Sequence, residues 1–219
     1  MRIAMYVCPT KFLYFRRRRP VQSPRILDIG CGNNSPTTTK RWFPTCHYSG
    51  ADIARYNLSE EDTAAIDTFY PLGIDGSGYS AIPNGSYDFV ILHHVVEHME
   101  VPAPILAAIC SKLKPGGYIW IAFPSLRSLA LPSAEGTLQF CDDPTHVYVP
   151  DIREVSNILL ANGVKVLNAG QSRDFVRALI GAAIFPWALL RRVLTGKFPK
   201  GLWYILGFED HVFGQRKPS

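Results

Sequence analysis

Short apolar runs alternate along this chain with segments of helical spacing. Arg25-Ile26-Leu27-Asp28-Ile29 is stopped at once by Gly30-Cys31-Gly32, which predicts a buried strand running into a tight turn. Tyr48 to Ile53 reads as a second strand and Phe69 to Asp75 as a weaker third. Loops follow at Gly76-Ser77-Gly78 and Pro83-Asn84-Gly85. Tyr87 to Leu92 is a sharply bounded fourth strand. Ile105 to Leu113 has helical spacing and meets a stop signal at Lys114-Pro115-Gly116-Gly117, and Tyr118 to Phe123 follows as a fifth strand. Asp151 can cap a helix with the apolar face Ile152, Val155, Ile158 and Leu159, ended by Gly163. Val164 to Leu167 and His211 to Phe213 are closing strands. Strands and helices in alternation predict an α/β fold, a doubly wound and mostly parallel sheet. Ligands bind such sheets beyond the carboxyl ends of the strands. The positions to watch are therefore Asp28 to Gly32, Asp52, Asp75, His93 and Pro124.

Composition narrows the setting. A chain of 219 residues suits one domain (1–219), with a basic extension at 1–23 and an apolar insert at 173–202 between the last two strands. Charged residues make up 19%, against roughly 25% in an average soluble protein, which points to apolar surface. A net charge of +5 is thin for a nucleic-acid binder, and no such partner is expected. Cysteines 8, 31, 46, 110 and 141 are odd in number and include no C-x-x-C. That predicts neither a disulfide framework nor a cysteine zinc site, and suits a reducing cytoplasm. The run Arg16 to Arg19 follows a short apolar stretch, the reverse of a secretory leader, and no apolar run reaches 18 residues.

Gly30 and Gly32 allow the first loop to turn tightly and to approach a ligand without a Cβ in the way. Asp52 stands 20 residues beyond Gly32, where a carboxylate can bond both hydroxyls of a ribose. Ser35 occupies the place of a third glycine, and no Gly-Lys-Ser/Thr follows, so a nucleoside without a pyrophosphate fits best.

Leu27-Asp28-Ile29-Gly30-Cys31-Gly32, Gly50-Ala51-Asp52-Ile53, Tyr87-Asp88-Phe89-Val90, Val96-Glu97-His98 and Leu113-Lys114-Pro115-Gly116-Gly117 occur in that order. Together this set resembles the class I S-adenosylmethionine-dependent methyltransferases of the type 11 group, over about residues 24 to 170 and the final strand. The resemblance implies a Rossmann-like sheet of seven strands, the last antiparallel, with helices on both faces. It also implies S-adenosylmethionine as cofactor. Gly30, Cys31 and Gly32 would cradle its methionine part, Asp28 would orient the amino group, Asp52 would bind the ribose, and Ile53 would also meet the cofactor. Asp75 would reach the adenine amine, and His93 would lie beside the methionine portion.

His94-Val95-Val96-Glu97-His98 also matches H-x-x-E-H. On a helix this motif would set two histidines on one face for zinc, with Glu97 as base, and so a zinc peptidase is a rival enzyme class. The plainer use of Glu97 and His98 is a hydrogen-bonded helix start, and no metal is expected, although a cation could bind near Glu97. The fourth strand ends in Leu-His-His rather than Asn/Asp-Pro-Pro-Tyr/Phe, which argues against methylation of an exocyclic amine of adenine or glutamine. Further on, Cys141-Asp142-Asp143-Pro144-Thr145-His146 falls where the family builds its acceptor pocket. His146 can take a hydroxyl proton with Asp142 or Asp143 orienting it, Asp143 being preferred; a loop histidine tied into a turn is the plainer use. The expected acceptor is a hydroxyl or amine of a small or lipid-linked molecule, such as a surface-glycan sugar. An inactive cofactor-binding or membrane-surface accessory protein is the non-enzyme alternative.

Ala178 to Leu190 is a run of 13 apolar or small residues, too short to cross ~30 Å of hydrocarbon. Arg177, Arg191, Arg192, Lys197, Lys200, Trp203 and Tyr204 surround it. Such a segment serves as a lid, a homodimer contact, or a peripheral anchor at the inner face of a membrane.

Overall fold

The computed structural model describes residues 8–18, 22–73, 75–133, 139–172, 179, 182–198 and 207–218. Its elements run α1 (Thr10–Arg18), β1 (Arg25–Ile29), α2 (Ser35–Trp42), β2 (His47–Asp52), α3 (Glu60–Ala65), β3 (Thr68–Pro71) and β4 (Tyr87–His93). They continue with α4 (Pro102–Lys112), β5 (Leu113–Pro124), α5 (Ile152–Ala161), β6 (Val164–Gln171), α6 (Phe185–Thr195) and β7 (Glu209–Arg216). The seven strands form one sheet in the order β3-β2-β1-β4-β5-β7-β6. The first five are parallel, and β7 runs antiparallel between β5 and β6. This is the expected α/β architecture, with its switch point between β1 and β4.

Alternation along the strands decides which side chains meet which helices. Leu27, Ile29, Val90, Leu92, Ile119 and Ile121 pack with Leu106 and Ile109 of α4 and Val155 and Leu159 of α5. Ile26, Phe89, Ile91, Trp120 and Phe213 face the other way, against Phe12 and Phe15 of α1. Phe15 stacks on Phe89 at 4.4 Å between centroids. Burying a side chain of that size is worth about 1.5–3 kcal/mol. Part of the stretch read as a basic extension is therefore a packed helix: Phe12 and Phe15 take the sheet side, and Arg16, Arg17 and Arg18 stay in solvent. Arg19 lies outside the described residues.

Two boundaries differ from expectation. β3 stops at Pro71, which brings no amide to a ladder, so Asp75 ends up in a following turn. Ile74 lies outside the described residues. The Lys114-Pro115-Gly116-Gly117 stop does end α4, but it belongs to the start of β5. The pairing with β4 shifts register there, from Leu113 opposite Tyr87 to Tyr118 opposite Phe89. Gly116 takes φ 76°, and a Cβ at Gly117 would lie 2.9 Å from the Tyr87 carbonyl oxygen.

Candidate active site

The same alternation gathers the polar strand-end residues on one face. Asp28 shares its side with Ile26, Asp52 with Tyr48, His93 with Ile91, and Glu209 with Phe213, so all four lie on the sheet face against which α1 packs. Asp28 is buried, its carboxylate accepting from Tyr48 Oη at 2.7 Å and Ser35 Oγ at 2.5 Å. Ser35, in the place of a third glycine, thus serves to fix Asp28. Gly30 takes φ 73°, and a Cβ there would overlap the Val95 side chain; one on Gly32 would come within 2.7 Å of the Tyr56 carbonyl oxygen. The loop has no room for side chains at either position. Cys31 turns its thiol into the core against Gly50, and burial pushes that thiol up to about 12. Only the backbone of Cys31 is left to meet a ligand.

Asp52 is half-buried, and burial raises its carboxyl above the usual range. Backbone amides of Ile53, Ala54 and Cys31 oppose the shift, with Ile53 donating at 2.7 Å. Ile53 itself is 61% exposed and presents a bare apolar surface beside that carboxylate. Asp75 accepts from the Ser77 amide at 3.0 Å in an exposed turn, and hydrogen bonding from Ser77 lowers its carboxyl.

Two residues with no motif signal complete this end of the site. Lys11 of α1 is buried; burial lowers its ammonium, and the charges of Asp28 and Glu209 push it back up. Glu209 is held well below the ordinary range: burial works against its charge, but His93 and His94 outweigh burial. Its Oε2 lies 2.9 Å from His93 Nε2 and 3.0 Å from His94 Nε2. Burial lowers His93 despite that partner. Burial acts on His94 too, yet bonds and charges from Glu209 and Glu97 raise it to about 10.

The H-x-x-E-H segment is not a zinc-binding helix. His94 sits at φ 58°, and only Val96–His98 form a short 3-10 turn. His94 binds Glu209 and Glu97, whereas His98 turns to Thr145, so the two histidines serve different clusters. The second cluster contains the loop residues expected at the acceptor side. The Glu97 carbonyl accepts from the Val147 and Tyr148 amides, which ties the loop to the end of β4. His146 is tucked in with its Nδ1 2.7 Å from the Phe140 carbonyl oxygen and its Nε2 4.0 Å from both Glu97 and Asp143. Asp143 accepts from the Thr145 amide and hydroxyl, and these bonds lower its carboxyl against the effect of burial.

A family model described as a methyltransferase domain matches residues 4–169. The chain belongs to the class I S-adenosylmethionine-dependent methyltransferases. The cofactor of this family is S-adenosylmethionine, and the residues above fit it: a glycine loop without room for side chains, paired carboxylates at adjacent strand ends, and an apolar surface next to one of them. The chain is 29% identical over 154 residues to a ubiquinone biosynthesis O-methyltransferase of Burkholderia thailandensis, covering 65% of each protein. It is 26% identical over 169 residues to one of Marinobacter nauticus, covering 72% of this chain and 71% of that protein. The fold is shared with an S-adenosylmethionine-dependent methyltransferase of Mesorhizobium loti (TM-score 0.62, 16% identity, 95% of this chain and 98% of that one). It is shared likewise with a Haemonchus contortus phosphoethanolamine N-methyltransferase 2 solved with S-adenosylmethionine (TM-score 0.62, 16% identity, 95% and 52%).

Proposed function

We propose that this methyltransferase domain (1–219) transfers a methyl group to a hydroxyl oxygen of a small acceptor held at a membrane. The observation that carries this reading is the joining of two half-sites by one residue: Glu97 sits between the cofactor end, through His94, and the His146 loop. When bound, the cofactor supplies an electrophilic methyl on a sulfonium. The chain's own task is to align groups and to handle a proton. Gly30, Gly32 and the Cys31 backbone would pass under the methionine part, with Asp28 at its amino group and His93 alongside. Lys11, whose ammonium has no hydrogen-bond partner among the described residues, would face the carboxylate. Asp52 would bond the ribose diol, Ile53 would lie on the adenine, and Asp75 would reach the adenine amine. At the other end, the cluster of Glu97, His98, Asp143 and His146 would remove the hydroxyl proton.

Oxygen is favoured over nitrogen by the O-methyltransferase relatives, whose role in ubiquinone biosynthesis also suits a lipid-linked acceptor. α6 supports a membrane location. It lies between β6 and β7 with Trp187, Leu190, Val193 and Leu194 all more than half exposed, and only Ala188 buried. No helix among the described residues is long and apolar enough to cross a membrane, so the contact would be peripheral. Residues 178, 180 and 181 of the predicted apolar run lie outside the described set, as do Arg177, Lys200, Trp203 and Tyr204.

Incubating the protein with methyl-labelled S-adenosylmethionine and a bacterial lipid extract tests the reading. Label should enter the organic phase in a product that survives alkaline hydrolysis, as an ether does. Label confined to water-soluble sugars would move the acceptor to a free glycan hydroxyl. Cofactor binding without transfer to any acceptor would leave the accessory-protein alternative.

A further inference from the structure

The two histidines of the acceptor-side cluster share a specific preparation. A carbonyl oxygen can only accept, so the contact of His146 Nδ1 with the Phe140 carbonyl at 2.7 Å fixes the proton on Nδ1 and the lone pair on Nε2. His98 Nδ1 lies 3.2 Å from the Thr145 carbonyl and 3.0 Å from the Thr145 hydroxyl, whose proton goes to Asp143, so both oxygens are left to accept and this ring too carries its proton on Nδ1. Tying one ring nitrogen to a backbone carbonyl is how metal-ligating histidines are oriented.

The spacing has the same character. His146 Nε2 stands 4.0 Å from Glu97 Oε1 and 4.0 Å from Asp143 Oδ2, too far for a hydrogen bond. Two bonds of about 2.0–2.2 Å to a common ion span such a gap. One donor atom each from Glu97, His98 and His146 lies within 4.8 Å of the other two. Glu97 is fully buried, and its second oxygen, Oε2, has no hydrogen-bond partner among the described residues. Leaving a carboxylate oxygen unsatisfied in that position is costly unless something positive completes it.

We propose that Glu97, His98 and His146, with Asp143 at the edge, form a binding site for a divalent transition-metal cation. Two imidazoles and one or two carboxylates suit Zn²⁺ or Mn²⁺ better than Mg²⁺ or Ca²⁺, which prefer all-oxygen shells. The assignment deepens the acceptor reading above and rests on it for its role. The ion would take the acceptor hydroxyl as a further ligand and lower its pKa, so that the proton leaves to solvent past the partly exposed Asp143. The alkoxide oxygen then forms its bond to the methyl carbon, and the C–S pair returns to sulfur.

Protein freed of metal by chelation and dialysis should bind Zn²⁺ once per chain in calorimetry, with Mg²⁺ far weaker. His98→Ala, at an exposed side chain, and His146→Ala should each weaken Zn²⁺ by at least about tenfold. Both should leave the affinity for S-adenosylmethionine unchanged. No Zn²⁺ binding, or a Zn²⁺ affinity that survives His98→Ala and His146→Ala alike, would overturn the site. Failure of the unaltered protein to bind S-adenosylmethionine would instead count against the methyltransferase reading alone.

Discussion

His94 and Glu209, separated by 115 positions in the chain, meet with His94 Nε2 3.0 Å from Glu209 Oε2. Across the ring, His94 Nδ1 reaches Glu97 Oε1 at the same distance. One imidazolium therefore bridges two buried carboxylates, one at the start of β7 and one just past β4. Both nitrogens must carry protons to serve both partners, which is why the charged form persists up to about 10.

This arrangement predicts an alkaline loss of stability. The folded pKa lies above the roughly 6.5 of an unfolded histidine, so the contribution is complete below about 6.5 and fades as pH rises toward 10. Thermal unfolding midpoints should fall over that window in the unaltered protein and fall less in His94→Gln. Removing the cation from two buried carboxylates should itself cost about 3–5 kcal/mol at neutral pH. Parallel pH profiles for the two proteins would refute the role given to His94.

Asp52→Ala should weaken S-adenosylmethionine by about 1.5–3 kcal/mol, the worth of charged hydrogen bonds to a ribose diol. The fold should survive, since this carboxylate is only half-buried and its amide donors can turn to water. Calorimetry with an unchanged cofactor affinity would remove Asp52 from the site.

The legible parts of the molecule were those in which a local signal and the tertiary role coincide. β1 spans the residues its apolar run predicts, because Gly30 ends it abruptly. Asp151 caps α5 as expected, accepting from the Arg153 amide at 2.7 Å. Lys11 and Glu209 carried no such signal. Each is a lone charge in a segment remote from the glycine loop, brought to Asp28 and His93 only by α1 packing on the sheet and β7 inserting beside β5. The clustered arginines of α1 hid the spacing of Phe12 and Phe15. His94 resisted prediction for a different reason: it is a non-glycine residue in the left-handed region, a conformation that no local pattern of residue types encodes.

Lys11→Met tests the neglected cation directly. Methionine keeps the apolar stem and fills the same space, so α1 should stay docked. Affinity for S-adenosylmethionine should drop by about 1.5–3 kcal/mol if the ammonium meets the methionine carboxylate. Affinity for methylthioadenosine, which lacks the amino-acid end, should not change. An equal loss for both ligands would show that Lys11 acts only by holding the helix.

Membrane binding by α6 is the last expectation, and its outcome depends on charge as well as apolar area. Phe185, Trp187, Leu190, Val193 and Leu194 spread exposed apolar side chains over roughly half of the helix circumference, with Arg191 and Arg192 on the remaining side. Arg191 lies over the Trp187 ring at 5.2 Å and Arg192 over Phe198 at 4.6 Å, so cations and aromatic rings occur at the same level, as at a headgroup layer. Each such cation near an anionic surface contributes about 1 kcal/mol, and the apolar residues add their burial once the helix is captured. Sedimentation with vesicles should therefore rise with the fraction of anionic lipid and fall as salt is added. Replacing Trp187, Leu190, Val193 and Leu194 with serine should abolish sedimentation while leaving cofactor affinity intact. A protein that stays in the supernatant at low salt but elutes as a dimer would assign the same helix to a second copy of the chain.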